Sequence, residues 1–225
     1  NRIKDINPGI NAHSVSDHTQ SNWNGITGEI SIEALPSVYI DRVAIFADPE
    51  MQSATVQIST MNSNDRDTEA QFELQAFIEG TQQAAATSFQ MTKTLTPGLN
   101  SVEAVYPLGE EIMLWDEFYP NLYTMQINVH AEAQRHTKQV DFGFRDLRQN
   151  GTQLSINGRP VFLRGTLECC IFPKTGYPPT DRESWKRIFR ICKAHGLNNM
   201  RFHSWCPPEA AFEAADREGF YLQVE

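Results

Sequence analysis

Between residues 37 and 142 the apolar positions recur every second residue. Phe72, Leu74, Ala76 and Ile78 alternate with Glu73, Gln75, Phe77 and Glu79, and Tyr123, Met125, Ile127 and Val129 alternate with Thr124, Gln126, Asn128 and His130. Shorter runs of the same kind hold Val43 with Ile45 and Val56 with Ile58. Period two sends successive side chains to opposite faces of a strand, so each run buries one face and wets the other. Asn62-Ser63-Asn64-Asp65, Thr96-Pro97-Gly98 and Pro107-Leu108-Gly109 interrupt the runs with turn chemistry. About seven short strands over ~100 residues predict a β-sandwich of the immunoglobulin-like kind, without the Cys-Trp-Cys spacing of antibody domains. Trp115, in Leu114-Trp115-Asp116, is expected to anchor one end of it.

Residues 1–36 are polar and punctuated by glycine at Asn22-Trp23-Asn24-Gly25-Ile26-Thr27-Gly28. A strand is expected over Glu29 to Glu33, with Ile30 and Ile32 on one face. His13 and His18 flank Asp17, but solvated loop histidines explain that spacing better than a metal site does.

After Phe142 the pattern changes. Leu154-Ser155-Ile156, the turn Asn157-Gly158 and Val161-Phe162-Leu163 predict a hairpin. Its second arm runs through Arg164-Gly165-Thr166-Leu167-Glu168 into a parallel strand, followed by a loop rich in proline and glycine up to Pro179. Thr180-Asp181-Arg182-Glu183 reads as a capping box. Trp185, Ile188, Phe189 and Cys192 follow at helical spacing, and Gly196 ends that helix. Gly196 to Pro208 reads as a buried strand that stops abruptly in a polar and aromatic cluster. Pro207 and Pro208 open a second helix with Ala211, Phe212 and Ala215 on its buried face, closed by Gly219. Phe220 to Glu225 is a third strand. Strand, helix, strand, helix, strand is the start of a (β/α) barrel or of a doubly wound sheet.

Charge and composition narrow the function classes. The 19 basic against 28 acidic residues give a net charge of -9, which argues against a nucleic-acid partner. No apolar run approaches the ~20 residues of a membrane span. Asn1 opens without a charged n-region or an apolar h-region, so the chain reads as an excerpt. Cys169, Cys170, Cys192 and Cys206 suit no disulfide framework. Cys169, Cys192, His203 and Cys206 match no usual zinc spacing, so buried free thiols are expected and no metal is. No Gly-x-Gly-x-x-Gly follows any strand, so no dinucleotide cofactor is expected.

The candidate chemistry lies at the ends of the parallel strands, where ligands sit in such sheets. Arg201, His203 and Trp205 alternate along the second strand, so they are expected to point the same way at its end and form a wall for a polyhydroxylated ligand. A structural reading of the same residues makes Arg201 an ion-pair partner and Trp205 part of the core. Glu168 and Glu225 stand at the ends of the flanking strands.

Several motifs, in order, resemble glycoside hydrolase family 2, whose members are similar to β-galactosidases and β-glucuronidases. Asn22-Trp23-x-Gly25-Ile26-x-Gly28 resembles the end of that family's sugar-binding jelly roll. Trp115 with Pro120-Asn121-Leu122-Tyr123 and Phe142-Gly143-Phe144-Arg145 resemble its sandwich and the junction that follows. Leu154-x-x-Asn157-Gly158-x-Pro160-Val161-x-Leu163-Arg164-Gly165 resembles its entry into the catalytic barrel. Asn198-Asn199-Met200-Arg201-x-His203 and Asp216-x-x-Gly219-x-Tyr221 resemble its second and third barrel strands. His203 comes one place early, and Thr166 to Cys170 replaces the Asn and His that usually follow Arg-Gly. These departures point to a subgroup with a different sugar.

The resemblance implies three segments. Residues 1–36 would be the tail of a jelly-roll domain, 37–142 an immunoglobulin-like sandwich, and 143–225 the first three strands and two helices of a TIM-type (β/α)8 barrel. It implies part of a retaining glycosidase with a carbohydrate substrate, in a periplasmic or secreted parent. Retaining enzymes need two carboxylates about 5 Å apart. The family's pair follows its fourth and seventh barrel strands, so no residue here is expected to be catalytic and the chain alone should be inactive. Arg201, His203, Trp205, Glu168 and Glu225 are expected to bind substrate or shape the pocket floor, with Arg201 open to pairing with a glutamate. Open strand edges carrying Phe220, Leu222 and Val224 make self-association possible. The alternative is a non-catalytic carbohydrate-binding or scaffold module.

Overall fold

The computed structural model describes residues 30–225. The motifs at residues 13–28 lie outside the described residues. Residues 30–36 carry no strand: Ile30 is 73% and Ile32 101% exposed. The alternation that predicted a strand there finds no neighbouring strand among the described residues, and an unpaired strand does not hold its shape in water.

Residues Ile32–Val161 form one compact unit. Its first seven strands are β1 (Val38–Asp48), β2 (Ser53–Asn62), β3 (Thr68–Ile78), β4 (Phe89–Leu95), β5 (Gly98–Pro107), β6 (Tyr123–Ala131) and β7 (Gln134–Phe142). They pair as two antiparallel sheets, β1-β2-β5 and β4-β3-β6-β7. The alternating residues of both sheets close one core around Val56, Ile58, Phe72, Leu74, Tyr106, Met125 and Ile127, all fully buried. Tyr106 keeps its hydroxyl satisfied there, donating to Thr87 O (3.0 Å) and accepting from Ala76 N–H (3.2 Å).

β1 is held by both sheets. Its register shifts between Ile40 and Arg42, and side chains of β7 bind main-chain groups of β1 around that point and of Ser37 just before the strand. Ile40 N–H donates to His136 Nδ1 (3.2 Å), Lys138 Nζ donates to Asp41 O (2.6 Å), and Gln134 Oε1 accepts from Ser37 N–H (3.1 Å). A bulge leaves ladder groups without strand partners, and these side chains supply the partners.

The same unit continues past Phe142. β8 (Leu147–Asn150), β9 (Gln153–Ile156) and β10 (Arg159–Val161) form a small antiparallel sheet in the order β10-β9-β8. The expected hairpin is β9–β10, and β8 is an added arm. Asn157, at its turn, accepts from Asp146 N–H (2.9 Å) and donates to Trp115 O (3.1 Å). Arg159 pairs with the buried carboxylate of Asp116, which also accepts from Phe118 and Tyr119 N–H (both 2.8 Å). Trp115 is buried, with the Arg145 guanidinium 5.4 Å from its ring centre.

Residues Phe162–Glu225 belong to a second compact unit. β11 (Gly165–Glu168), α1 (Arg182–Ala194), β12 (Asn199–Phe202), α2 (Glu209–Glu218) and β13 (Tyr221–Val224) follow in turn, and the strands pair in parallel in the order β11-β12-β13. The cap of α1 is Asp181 rather than Thr180: its carboxylate accepts from Ser184 N–H (2.8 Å), which shifts the expected capping box by one residue. On α2 the buried residues are Ala211, Ala214 and Ala215, while Phe212 is 38% exposed. The helical stripe is narrower than the sequence reading took it to be, because α1 already fills the core with Trp185 and Phe189. Phe220, expected at an exposed edge, is buried and stacks on Phe189 with ring centres 4.7 Å apart.

Two adjacent asparagines align the three strands. Asn198 Oδ1 accepts from Arg164 N–H (2.8 Å), and its Nδ2 donates to Phe162 O (3.1 Å). Asn199 Nδ2 donates to Tyr221 O (3.2 Å). Gly165 is required beside it: a Cβ there would lie 2.7 Å from Asn199 Oδ1.

Candidate functional site

The pleat of the parallel sheet sorts the candidate residues. Leu167, Arg201 and Gln223 share one register row, and Glu168, Phe202 and Val224 share the next. Neighbouring rows point to opposite faces. Phe202 faces the apolar cluster under the helices and is fully buried, whereas Arg201 is exposed on the other face.

At the carboxyl end of that exposed face Arg201 meets Glu225. Arg201 Nε donates to Glu225 Oε1 (2.7 Å), Nη2 donates to the same oxygen, and Ser204 Oγ donates to Oε2 (3.0 Å). The hydrogen bonds from Arg201 and Ser204 hold the Glu225 carboxyl below the usual glutamate range, and the charges of Arg201 and His203 add to this. The ion-pair role considered for Arg201 is thus realised. Ser204 is the member that the sequence reading missed, since one hydroxyl in a loop leaves no periodic signal.

Glu168 sits differently. Its register row is that of Phe202, and its carboxylate turns back to accept from Cys170 N–H at 2.9 Å. Burial pushes its carboxyl up, while the N–H groups of Cys170 and Ile171 and the Trp205 indole pull the other way. Its main-chain oxygen accepts from His203 N–H (2.8 Å) and from Trp205 Nε1 (3.4 Å), so β11 reaches the loop after β12 through that carbonyl.

Trp205 is not on the Arg201 face. β12 ends at Phe202, so the alternation stops before Trp205. The indole packs edge-on against Phe202 and Phe172, with ring centres 5.2 and 6.2 Å away. The five predicted residues therefore form two groups. Arg201, Glu225 and Ser204 share the exposed face at the strand ends, with His203 contributing charge, while Glu168 and Trp205 line the edge of the aromatic cluster.

The four cysteines are thiols rather than disulfides, but only Cys170 is buried as expected, and Cys206 is exposed. The buried Cys170 thiol is pushed up to about 12 by burial, by the Glu168 carboxylate and by Cys169, so it stays protonated at neutral pH. Among the described residues no group of three or more His, Cys, Asp and Glu side chains is placed to hold a metal ion, so the zinc set weighed from the sequence is not assembled. No helix of the described residues is long and apolar enough to cross a membrane.

Comparison with known proteins places these observations. Residues 38–145 match the family model of glycosyl hydrolases family 2. The chain is 23% identical over 213 residues to a β-galactosidase of Leuconostoc mesenteroides subsp. mesenteroides, covering 92% of this chain and 20% of that protein. It thus spans about a fifth of the length of the curated relatives it matches. Among solved structures it is similar to a glycosyl hydrolase family 2 member from Bacteroides cellulosilyticus, with TM-score 0.72, 16% identity, and 83% of this chain against 26% of that one. It is also similar to a Bacteroides uniformis β-glucuronidase, with TM-score 0.70, 17% identity, and coverage of 83% and 24%. At these identities the structural likeness is one of fold.

Proposed function

We propose, from the match of residues 38–145 to glycosyl hydrolases family 2 and the likeness to its members, that the chain is part of a retaining glycoside hydrolase of that family acting on O-glycosides of oligo- or polysaccharides. In this reading residues 37–142 are the immunoglobulin-like sandwich, 143–225 are the opening strands and helices of a (β/α)8 catalytic barrel, and 1–36 are the end of a jelly-roll domain. Arg201, His203, Trp205, Glu168 and Glu225 serve substrate binding, with Trp205 and Glu168 acting from the aromatic edge.

The observation that carries the proposal is the placement of Arg201, Glu225 and Ser204 at the carboxyl end of a parallel β-α-β-α-β sheet, on the face away from the helices. That is where barrel and open α/β sheets hold ligands. Glu225 is held by Arg201 and Ser204, and Glu168 by the N–H groups that follow its strand. The 225-residue chain is expected to be inactive on its own, and association between copies through the outer edges of β11 and β13 is expected of it in isolation.

Two measurements test this. The full-length gene product is expected to release product from aryl β-glycosides with retention at the anomeric carbon, read by proton NMR. Inversion, or no turnover across a panel of aryl glycosides, overturns the enzymatic reading. The purified 225-residue chain is expected to release none; turnover that disappears in Glu168→Gln or Glu225→Gln would show that the chain carries its own catalytic carboxylate.

A further inference from the structure

Of the three Asn-Gly pairs in the chain, Asn24-Gly25 lies outside the described residues, and the other two share one small sheet in which their surroundings differ. Asn150-Gly151 opens the β8–β9 turn, and Asn157-Gly158 forms the β9–β10 turn. Both glycines have a left-handed φ, +62° at Gly151 and +76° at Gly158, and a Cβ at either would meet nothing within 4 Å. The space at the two glycines is therefore alike, although Asn157 itself lies at a left-handed φ of +51° and Asn150 ends a strand. The hydrogen bonds of the two asparagines differ. Asn157 has its oxygen on Asp146 N–H (2.9 Å), its nitrogen on Trp115 O (3.1 Å) and its own N–H on Asp146 O (2.8 Å). Asn150 is exposed, and its amide donates to Ser155 Oγ at 3.2 Å.

We propose that Asn150 is a site of spontaneous self-modification, converting through a cyclic imide to aspartate and isoaspartate, while Asn157 in the same sheet is protected. The Gly151 main-chain nitrogen loses its proton to base and attacks Asn150 Cγ. A C–N bond closes a five-membered ring, and the bond from Cγ to the side-chain nitrogen breaks. That nitrogen leaves as ammonia, taking up one proton. Water then adds to either imide carbonyl, and the C–N bond that opens decides the product. Opening one way gives aspartate; opening the other way moves the main chain onto the side-chain carbon and gives isoaspartate. No electron transfer is involved, and water is the only co-reactant.

Glycine at the following position leaves the attacking nitrogen unhindered, which is why this dipeptide closes the ring readily. For Asn157 the same attack requires Cγ to rotate out of both side-chain hydrogen bonds, which pin the hairpin to Asp146 and Trp115. Two hydrogen bonds of ordinary net strength amount to a protection of about tenfold or more. The modification at Asn150 adds one negative charge to a chain already at -9. It falls beside the Asp146–Arg148 ion pair. The isoaspartate form also lengthens the main chain by one carbon where Asn150 pairs with Gln153, so an aged molecule carries a damaged β8–β9 turn.

The test is incubation of the purified chain in mildly alkaline buffer, followed by peptide mapping with mass spectrometry and labelling by a protein isoaspartyl methyltransferase. In the folded chain Asn150 is expected to convert at least about tenfold faster than Asn157. In strong denaturant the two rates are expected to converge. Asn150→Gln, which cannot close a five-membered ring, is expected to lose the folded-state methyl label from the peptide that holds residue 150, whatever label the Asn24-Gly25 peptide carries. Equal conversion of the two sites in the folded chain overturns the proposal. So does an intact Asn150 over a period in which the denatured chain converts both.

Discussion

Protonation of His136 should loosen the first half of β1. The imidazole accepts the Ile40 N–H through Nδ1 at 3.2 Å, in a partly buried position with the Tyr39 ring edge-on 6.2 Å away. Nδ1 can accept only while it lacks a proton, so this bond exists only with neutral imidazole. Burial, with help from the Lys138 charge, lowers the His136 pKa, and Glu33 opposes them weakly. A histidine whose folded pKa is depressed binds fewer protons folded than unfolded. Its stabilising contribution is therefore complete above the unfolded value of about 6.5, and it fades as pH falls through the folded pKa. What is lost is one acceptor for a partly buried backbone donor, about 1–3 kcal/mol. Amide hydrogen exchange reads that locally as a fall of about 5- to 30-fold in the Ile40 protection factor between roughly pH 7.5 and pH 5, the upper figure being the limit that one histidine can supply over that range. His136→Gln supplies an oxygen acceptor that does not titrate, so its Ile40 protection should stay flat over the same range. An equal pH dependence in wild type and variant, or a His136 pKa above 6.5 by NMR titration, refutes the reasoning.

Arg201→Ala removes the largest influence on Glu225, so the Glu225 carboxyl is expected to titrate higher by NMR, toward the ordinary glutamate range; an unchanged titration would mean that Ser204 alone suffices. Gly165→Ala drives a Cβ against the buried Asn199 amide, and a loss of about 1–3 kcal/mol is expected in denaturant unfolding, with most of it recovered in Gly165→Ala combined with Asn199→Ala. Because burial holds the Cys170 thiol near 12, maleimide at neutral pH is expected to label the exposed Cys206 well before Cys170, and peptide mapping that finds Cys170 first contradicts the environment described for it.

The sandwich was legible because burial on one face writes itself into the sequence as period two. Phe72, Leu74 and Ala76 in β3, and Met125, Ile127 and Val129 in β6, are all buried as their alternation requires. β8 was not legible for the converse reason. All four of its residues are exposed, so Leu147-Arg148-Gln149-Asn150 has no pattern to show. The β9–β10 hairpin was readable from Asn157-Gly158 because few residues tolerate the left-handed φ of +51° and +76° found there. At the candidate site, the pairing of Arg201 with a strand-end glutamate followed from strand register. Trp205 went to the wrong face because alternation was carried past Phe202, where the ladder stops. Phe212 was misplaced because helical spacing ranks candidate faces by bulk, whereas α2 meets its neighbours through alanines.

The division of size between α1 and α2 sets how this part of the chain can change over generations. α1 contributes Trp185 and Phe189, and α2 contributes Ala211, Ala214 and Ala215. Bulk on one helix occupies the space that small residues leave on the other. A larger residue at Ala214 has nowhere to go while Trp185 and Phe189 stand, and a smaller one at Phe189 leaves a void under Phe220 that no alanine can fill. Descendants of this sequence should therefore drift at these positions in matched pairs, with a loss of volume on one helix accompanied by a gain on the other, while the exposed Phe212 and Ile191 vary independently of their neighbours.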